Sequence, residues 1–378
     1  MGLWDSTIPG IQFDENGVSN YAVLQKKLTN DFPRGSQGKA AWENLVSTIK
    51  KDGEKREYDC ILGLSGGTDS SFLAHFAVQS GLNVLAVNVD NGFNSHVSLK
   101  NIKKITEKLN IDLYTYVVNY EEMKDLLRCY MMGGLPWVDY PSDKAIKSSL
   151  FRIANKMNIK YVISGTDFRT EGMQPKEWSY SDSKQLKYLH NKYGQNKLKS
   201  YPNLGSVMLA YYSRIKGIKK VLPFNYIEYN KTEAQKYLQH EYDWEYYGGH
   251  HHENSFTKYS IAHWLPNKFG IDKRKITLSA QIIGGEITRD EAINKLALPP
   301  ISFKEISVLE NYVIKKLDLS KSIYKTIWNE PNKYYYDYPN DYEIIVRFKP
   351  LIEKLFSKTF TSRPKSFYQI EMRERNKS

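Results

Sequence analysis

Residues 61–76 read ILGLSGGTDSSFLAHF. An apolar run, Ile61 to Leu64, ends in two glycines and a cluster of hydroxyls, and helical apolar spacing begins at once after them. A strand that turns through glycines into a helix gathers backbone N–H groups and the positive end of the helix dipole in one concavity, which suits phosphate. Gly66 and Gly67 permit close backbone approach, and Ser65, Thr68, Ser70 and Ser71 add hydroxyl donors. Asp69 is the anomaly, because a carboxylate repels a phosphate. Its place makes sense with a Mg²⁺ between the two, a cation that takes carboxylate and phosphate oxygens together. A Walker A loop is excluded because no Lys follows Gly67, and the dinucleotide fingerprint because its three spaced glycines are missing. An ordinary strand–turn–helix elbow needs one glycine, not a run of donors around an acid.

Outward from this loop, strand-like runs at 58–64, 83–90, 112–118 and 161–166 alternate with helical patterns at 70–80, 98–110, 120–132 and 143–158. The strands are short, apolar and β-branched, as suits strands covered on both faces. The alternation predicts right-handed βαβ units and a doubly wound parallel α/β sheet. One more strand is expected at 219–226, after which the pattern is mostly helical. The chain divides into a turn-rich segment with one helix at 39–51 (residues 1–50), a nucleotide domain (51–233) and a helical region (234–378). The polar–aromatic stretch NEPNKYYYDYPNDY, 329–342, reads as a loop or lid, and the basic tail 371–378 as frayed.

Two further loops leave the carboxyl ends of strands. VNVDNGF carries Asp90, Asn91 and Gly92, and ISGTDFRTEG carries Gly165, Thr166, Asp167 and Glu171. In a doubly wound sheet such loops meet at the crevice where the strand order reverses. Taken singly, Asp90 reads as a capping residue and Asp167 as a helix N-cap; beside the glycine loop they read as nucleotide contacts.

Composition narrows the class. The formal charge is +12, but the lysines are dispersed, which fits compositional bias better than a polyanion track. Two cysteines, Cys60 and Cys129, allow neither a disulfide framework nor a four-thiolate metal site. Both sit in apolar patterns and read as core. No apolar run reaches transmembrane length and no signal-peptide pattern opens the chain, so a reduced, cytoplasmic protein is expected.

Ser-Gly-Gly-x-Asp-Ser at 65–70 resembles the PP-loop of the N-type ATP pyrophosphatases, which cleave ATP to AMP and pyrophosphate. Four longer stretches, GIQFDENGVSNY (10–21), LPFNYIEYNKTEA (222–234), YYGGHHHENSFTKY (246–259) and NKFGIDKRKITLSAQIIGGEITRDEA (267–292), together resemble the N-acetyl sugar amidotransferases of pseudaminic acid and lipopolysaccharide O-antigen biosynthesis. The resemblance covers nearly the whole chain and is weakest in its final part. It implies ATP and Mg²⁺ as cofactors, with Asp69 on the metal. It also implies a nucleotide-linked or free diacetamido sugar as substrate. The acetamido oxygen is adenylated, and ammonia then replaces it to give an acetamidino group. The ammonia is expected from a separate glutaminase subunit, since this chain shows no glutaminase site of its own. No nucleic-acid partner and no membrane span are expected. Family members begin with two Cys-x-x-Cys pairs of a zinc ribbon; here Ser19 and Ala22 stand where the second pair belongs, so zinc is not expected.

By the same resemblance His251 and Glu253 are candidates for sugar binding, acid–base work or loop orientation, with an exposed polar loop as the open alternative. The three histidines 250–252 cannot all face one site. Lys273 and Arg274 are the candidate cations for departing pyrophosphate, against a solvated basic turn. Trp244, Tyr246 and Tyr247 read as stacking or, more simply, packing aromatics. Two other classes compete. One is a tRNA-modifying PP-loop enzyme, which fits the basic charge but lacks an RNA-binding module and the cysteines of sulfur chemistry. The other is a non-catalytic nucleotide-binding scaffold, opposed by the intact Asp69 and loop hydroxyls.

Overall fold

In a computed structural model, residues 2–249, 251–356, 367, 368, 370 and 371 are described; His250 and the tail from 372 fall outside them. The amino-terminal segment holds a turn at Asn16–Gly17 and one antiparallel bridge, Phe13 to Ser19. It then forms two helices, α1 (Asn20–Asp31) and α2 (Gly35–Gly53), where one was expected. The extra helix starts at Ser19, whose hydroxyl accepts the Ala22 N–H at 3.1 Å. The two positions aligned with the missing cysteines thus form a helix N-cap.

The alternation follows as read: β1 (Cys60–Gly63), α3 (Thr68–Gln79), β2 (Val84–Asp90), α4 (His96–Leu109), β3 (Leu113–Val117), α5 (Tyr120–Met132), α6 (Tyr140–Lys156), β4 (Tyr161–Ile163). Four more helices and the last strand complete the sheet region: α7 (Phe168–Glu171), α8 (Lys176–Ser179), α9 (Ser183–Tyr193), α10 (Ser206–Arg214) and β5 (Lys219–Val221). The five strands are all parallel, in the order β3-β2-β1-β4-β5. The order reverses between β1 and β4, so the loops after these two strands flank the crevice. β3 departs from the doubly covered pattern. It is the sheet edge, and its Leu113 and Val117 are exposed.

The remaining helices are α11 (Lys231–Tyr242), α12 (Ser255–Tyr259), α13 (Leu265–Phe269), α14 (Arg274–Ile283), α15 (Arg289–Ala297), α16 (Phe303–Lys316), α17 (Lys321–Asn329) and α18 (Tyr342–Phe356). Part of this region packs on the sheet, and part, Leu265, Ile271 and Ile276, packs with Ile8, Tyr21 and Leu24 of the amino-terminal segment. Phe256, Tyr259, Trp264, Val313, Leu317 and Ile327 pack into the same cluster as Ile61, Val87 and Val162 of the sheet. On the other sheet face Trp42, Leu73, Phe224, Leu238 and Trp244 close a second cluster. Cys60 and Cys129 are fully buried, and burial raises both thiols, Cys129 to about 12, which leaves them inert core residues. The tyrosine-rich stretch 329–342 is packed: Tyr335, Tyr338 and Tyr342 are buried, and the Tyr338 hydroxyl donates to the Gly133 carbonyl at 2.8 Å. It is a strut against α5, not a lid. No helix among the described residues is long and apolar enough to cross a membrane.

Candidate active site

The glycine loop joins β1 to α3 and is held by contacts far along the chain. Gly66 adopts φ +77°, and a Cβ there would lie 2.2 Å from the Ser98 carbonyl oxygen, so only glycine fits. Its own carbonyl accepts from the Trp244 indole at 3.0 Å and from the Asn101 amide at 3.2 Å. The Thr68 N–H donates to the Tyr247 hydroxyl at 3.0 Å. Trp244 and Tyr247 therefore fasten the loop, while Tyr246 is half exposed beside them. Of the loop hydroxyls, Ser65 and Ser70 face each other at 3.0 Å and line the cavity. Ser71 is turned inward and fully buried, away from any ligand.

Asp69 sits in the first turn of α3. One carboxylate oxygen accepts from the Tyr229 hydroxyl and the other from Lys231 Nζ at 2.8 Å. Burial disfavours the charge of Asp69, but the Lys231 ammonium and the Tyr229 hydroxyl outweigh it and hold the carboxyl below the usual range. Tyr229 is itself fixed by parallel stacking on Phe224, ring centroids 4.0 Å apart. Lys231 opens α11, which packs along α3. Sequence reasoning did not single out Lys231 or Tyr229, although both stand in the LPFNYIEYNKTEA stretch that carried the resemblance.

A second acid reaches the loop from residue 253. The 251–255 segment is pinned beside the end of β2: Ser95 N–H donates to the Glu253 carbonyl at 2.8 Å, and Ser255 N–H to the Phe93 carbonyl at 2.8 Å. Glu253 Oε1 accepts from the Ser65 hydroxyl at 3.4 Å and stands 3.7 Å from His251 Nδ1. Burial opposes the charge on both groups, yet each favours the other's. His251 is held above its ordinary value and Glu253 below its own. His251 carries φ +60°, an uncommon conformation for a side-chain-bearing residue. His252 is different: burial lowers it to about 4, a neutral imidazole.

Ser65, Gly67, Asp69, Ser70, His251 and Glu253 line a cavity of about 490 Å³ that also takes in Gly165, Thr166, Asn88, Asn91, Glu171, Asp139, Asp143 and Lys273. Lys273 lies over the Trp137 ring at 3.9 Å. Arg274, its neighbour, is outside this cavity. Its guanidinium is bound to the Asp272 carboxylate at 2.6 Å and to the Leu298 carbonyl at 2.7 Å. Asp90 accepts from the Gly92 N–H at 2.9 Å, capping its own turn, and does not line the cavity. Asp167 likewise caps α7 at Thr170 N–H, 3.2 Å, and is fully buried. Burial lifts it to about 6, against the pull of Arg34 at 3.8 Å. At both acids the structure has the capping geometry, and the cavity is lined by the residues beside them.

A second cavity of about 420 Å³, lined by Met173, Gln174, Ile261, Asp272, Arg274 and Thr277 among others, shares Glu171, His251 and Lys273 with the first.

Against known families, residues 41–174 match the family described as NAD synthase, and residues 253–352 match that described as LPS biosynthesis protein WbpG-like, C-terminal domain. The first match spans the glycine loop and Asp69; the second begins at Glu253. The chain thus joins a segment like NAD synthase, which carries the PP-loop, to a segment like the C-terminal domain of a WbpG-like LPS biosynthesis protein. Together the two matches support an ATP-utilising, amidotransferase-like enzyme. Among solved structures, the chain is similar to NMN synthetase from Francisella tularensis, with 15% identity over 79% of this chain and 97% of that one, at a TM-score of 0.37. It is also similar to the NH3-dependent NAD synthetase from Campylobacter jejuni, with 14% identity over 83% of this chain and 98% of that one, at a TM-score of 0.29. No curated protein matches it significantly.

PP-loop enzymes of the NAD synthetase kind generally use ATP with Mg²⁺. Among the described residues no group of three or more His, Cys, Asp or Glu side chains is gathered to hold a metal alone. Mg²⁺ keeps waters and binds through one or two carboxylates plus substrate phosphates. Asp69, with Glu171 lining the same cavity, fits that part.

Proposed function

We propose that this chain adenylates the oxygen of an acetamido group on a nucleotide-linked or free bacterial diacetamido sugar of the pseudaminic acid or O-antigen type. Ammonia then displaces AMP to leave an acetamidino group. The observation that carries the reading is the junction of the two cavities at Glu171, His251 and Lys273. The first cavity begins at the PP-loop, so the nucleotide belongs there. The second is a mixed polar and apolar chamber, the kind of site that holds a small organic ligand. A group seated in the second chamber meets the nucleotide at the shared residues.

An amide carbonyl is a poor electrophile and its oxygen a poor leaving group; adenylation turns that oxygen into part of AMP. Mg²⁺, when bound, neutralises triphosphate charge. The chain's own contribution is positional and electrostatic. Ser65, Gly67 and Ser70 form the phosphate cup, Lys231 stands at 2.8 Å from Asp69 on one side, and Lys273 lines the other. A cation aimed at charge developing on the departing pyrophosphate lowers the barrier. Lys273 and Lys231 hold that role in this reading, while Arg274, tied to Asp272, orders the wall of the acceptor chamber. The His251–Glu253 pair orients the loop over Ser65. Ammonia comes from a glutaminase partner.

The test is incubation with ATP, Mg²⁺, ammonium and a panel of nucleotide-linked diacetamido sugars. AMP and pyrophosphate are expected only with an accepted sugar, whose mass changes by exchange of one oxygen for NH. ADP and orthophosphate as products would overturn the assignment.

A further inference from the structure

Two further carboxylates, Asp139 and Asp143, line the nucleotide cavity beside Asp69 and Glu171. Asp139 is the N-cap of α6 and Asp143 lies one turn on, so their side chains share a face of the helix. Both line the cavity with Asp69, Ser70 and Gly165. They differ in access. Asp139 is 1% exposed at the cavity floor, with Oδ2 held by the Thr257 hydroxyl and Oδ1 without a hydrogen bond among the described residues. Asp143 is exposed to the cavity, with Oδ2 accepting from the Trp137 indole at 2.7 Å. A buried, half-satisfied carboxylate behind an accessible one is an arrangement for retaining a proton, since two nearby carboxylates resist double ionisation. Burial raises the proton affinity of Asp139 and the charge of Asp143 raises it further, while enclosure within the cavity raises that of Asp143. The other charged groups facing the pair are His251, Lys273 and Glu171.

We propose that Asp143 is the base that takes the N–H proton of the acceptor amide during adenylation, with Asp139 behind it as a positioning residue. The inference rests on the amidine-forming reading above. As the carbonyl oxygen bonds to the α-phosphorus, the bond from that phosphorus to the bridging oxygen breaks and pyrophosphate leaves. The amide proton passes to Asp143, leaving a neutral O-adenylyl imidate. When ammonia adds to the imidate carbon, Asp143 returns the proton to the same nitrogen. AMP departs with the C–O electron pair, the incoming nitrogen gives one proton to solvent, and an amidinium results. General base catalysis of this kind contributes about 10²–10⁴-fold.

The experiment uses the full chain, Mg²⁺-ATP, ammonium chloride and a uridine-diphosphate-linked diacetamido sugar. D143N is expected to lower kcat for AMP release at least about 100-fold with the KM for ATP within about twofold, and D143E to restore part of it. D139N, which alters only the group behind Asp143, is expected to lower kcat by much less than D143N, with the KM for ATP within about twofold. Turnover by D143N within about threefold of wild type, or a loss in D139N as large as that in D143N, overturns the proposal. An acceptor-free measurement separates this from the function itself: carboxyl-¹³C-aspartate NMR, with D143N assigning the resonance. Titration of Asp143 above the ordinary carboxylate range, with a lower Asp139 midpoint in D143N, supports the base; titration of Asp143 in the ordinary range overturns it. If wild type releases no AMP with any acetamido sugar, the functional reading falls, and the NMR titration still decides whether Asp143 holds a proton.

Discussion

The Asp69–Lys231 contact supports a quantitative prediction. Lys231 Nζ is 2.8 Å from Asp69 Oδ2, and the side chains are only 16% and 20% exposed. Removing one partner of a buried ion pair costs about 3–5 kcal/mol because it strands the other charge. Here Asp69 keeps the Tyr229 hydroxyl and some access to cavity water. Lys231→Met is therefore expected to cost about 2–3 kcal/mol. Asp69→Asn removes a charge but retains an acceptor, and is expected to cost about 1–2 kcal/mol. In the double mutant neither charge is stranded, so a double-mutant cycle by urea unfolding should return a coupling of about 1–2 kcal/mol. The sign with pH follows from the lowered folded value of Asp69. The coupling is present above the unfolded carboxylate value of about 3.9 and is lost as pH falls through the folded value. In turnover, Lys231→Met is expected to lower kcat/KM for ATP by about 10²–10³-fold, the usual loss for one preorganised electrostatic partner. A coupling below about 0.3 kcal/mol, the ordinary error of additivity, together with unchanged kcat/KM, would refute the pairing.

Other outcomes follow from the same geometry. Gly66→Ala forces a Cβ to 2.2 Å from the Ser98 carbonyl at φ +77° and should abolish ATP binding in a calorimetric titration while most of the core stays folded. Asp69→Asn should fold but lose AMP release even at saturating Mg²⁺; near-wild-type turnover would remove Asp69 from the reaction. His251 is held above its ordinary value by Glu253, so the pair's stabilisation is full below about pH 6.5 and is lost as pH rises through the folded value. In an NMR titration Glu253→Gln should lower the His251 midpoint, and an unmoved midpoint would exclude the pair. The isolated chain should turn over with ammonium salt at alkaline pH and hardly with glutamine; glutamine-dependent turnover by the single chain would contradict a separate ammonia source.

The sheet was legible because its signals are local. Buried parallel strands must be apolar and β-branched, and the helices between them must alternate, so β1 to β5 and α3 to α6 stand close to where the pattern places them. The PP-loop was legible for the same reason, since glycines, hydroxyls and an acid within six residues act through one backbone turn. Helix α1 was not, because only the cap at Ser19 marks its start among turn residues. Asp90 and Asp167 show the limit from the other side. Their sequence neighbourhood is right, but side-chain direction at a strand end depends on which N–H lies nearest, and both cap their own turns. The partners of the loop lie far beyond local pattern. Lys231 is 162 residues from Asp69, Glu253 is 188 from Ser65, and Trp244 is 178 from Gly66. Nothing in the spacing of a lysine or a tryptophan says which carboxylate or carbonyl it meets. That is set by the packing of α11 on α3 and by the backbone pairing of 253–255 with 93–95, between β2 and α4. Residues within one turn were therefore decided by the sequence. The cations and acids that complete the site were decided by the tertiary structure, because electrostatic contact depends on distance in space and not along the chain.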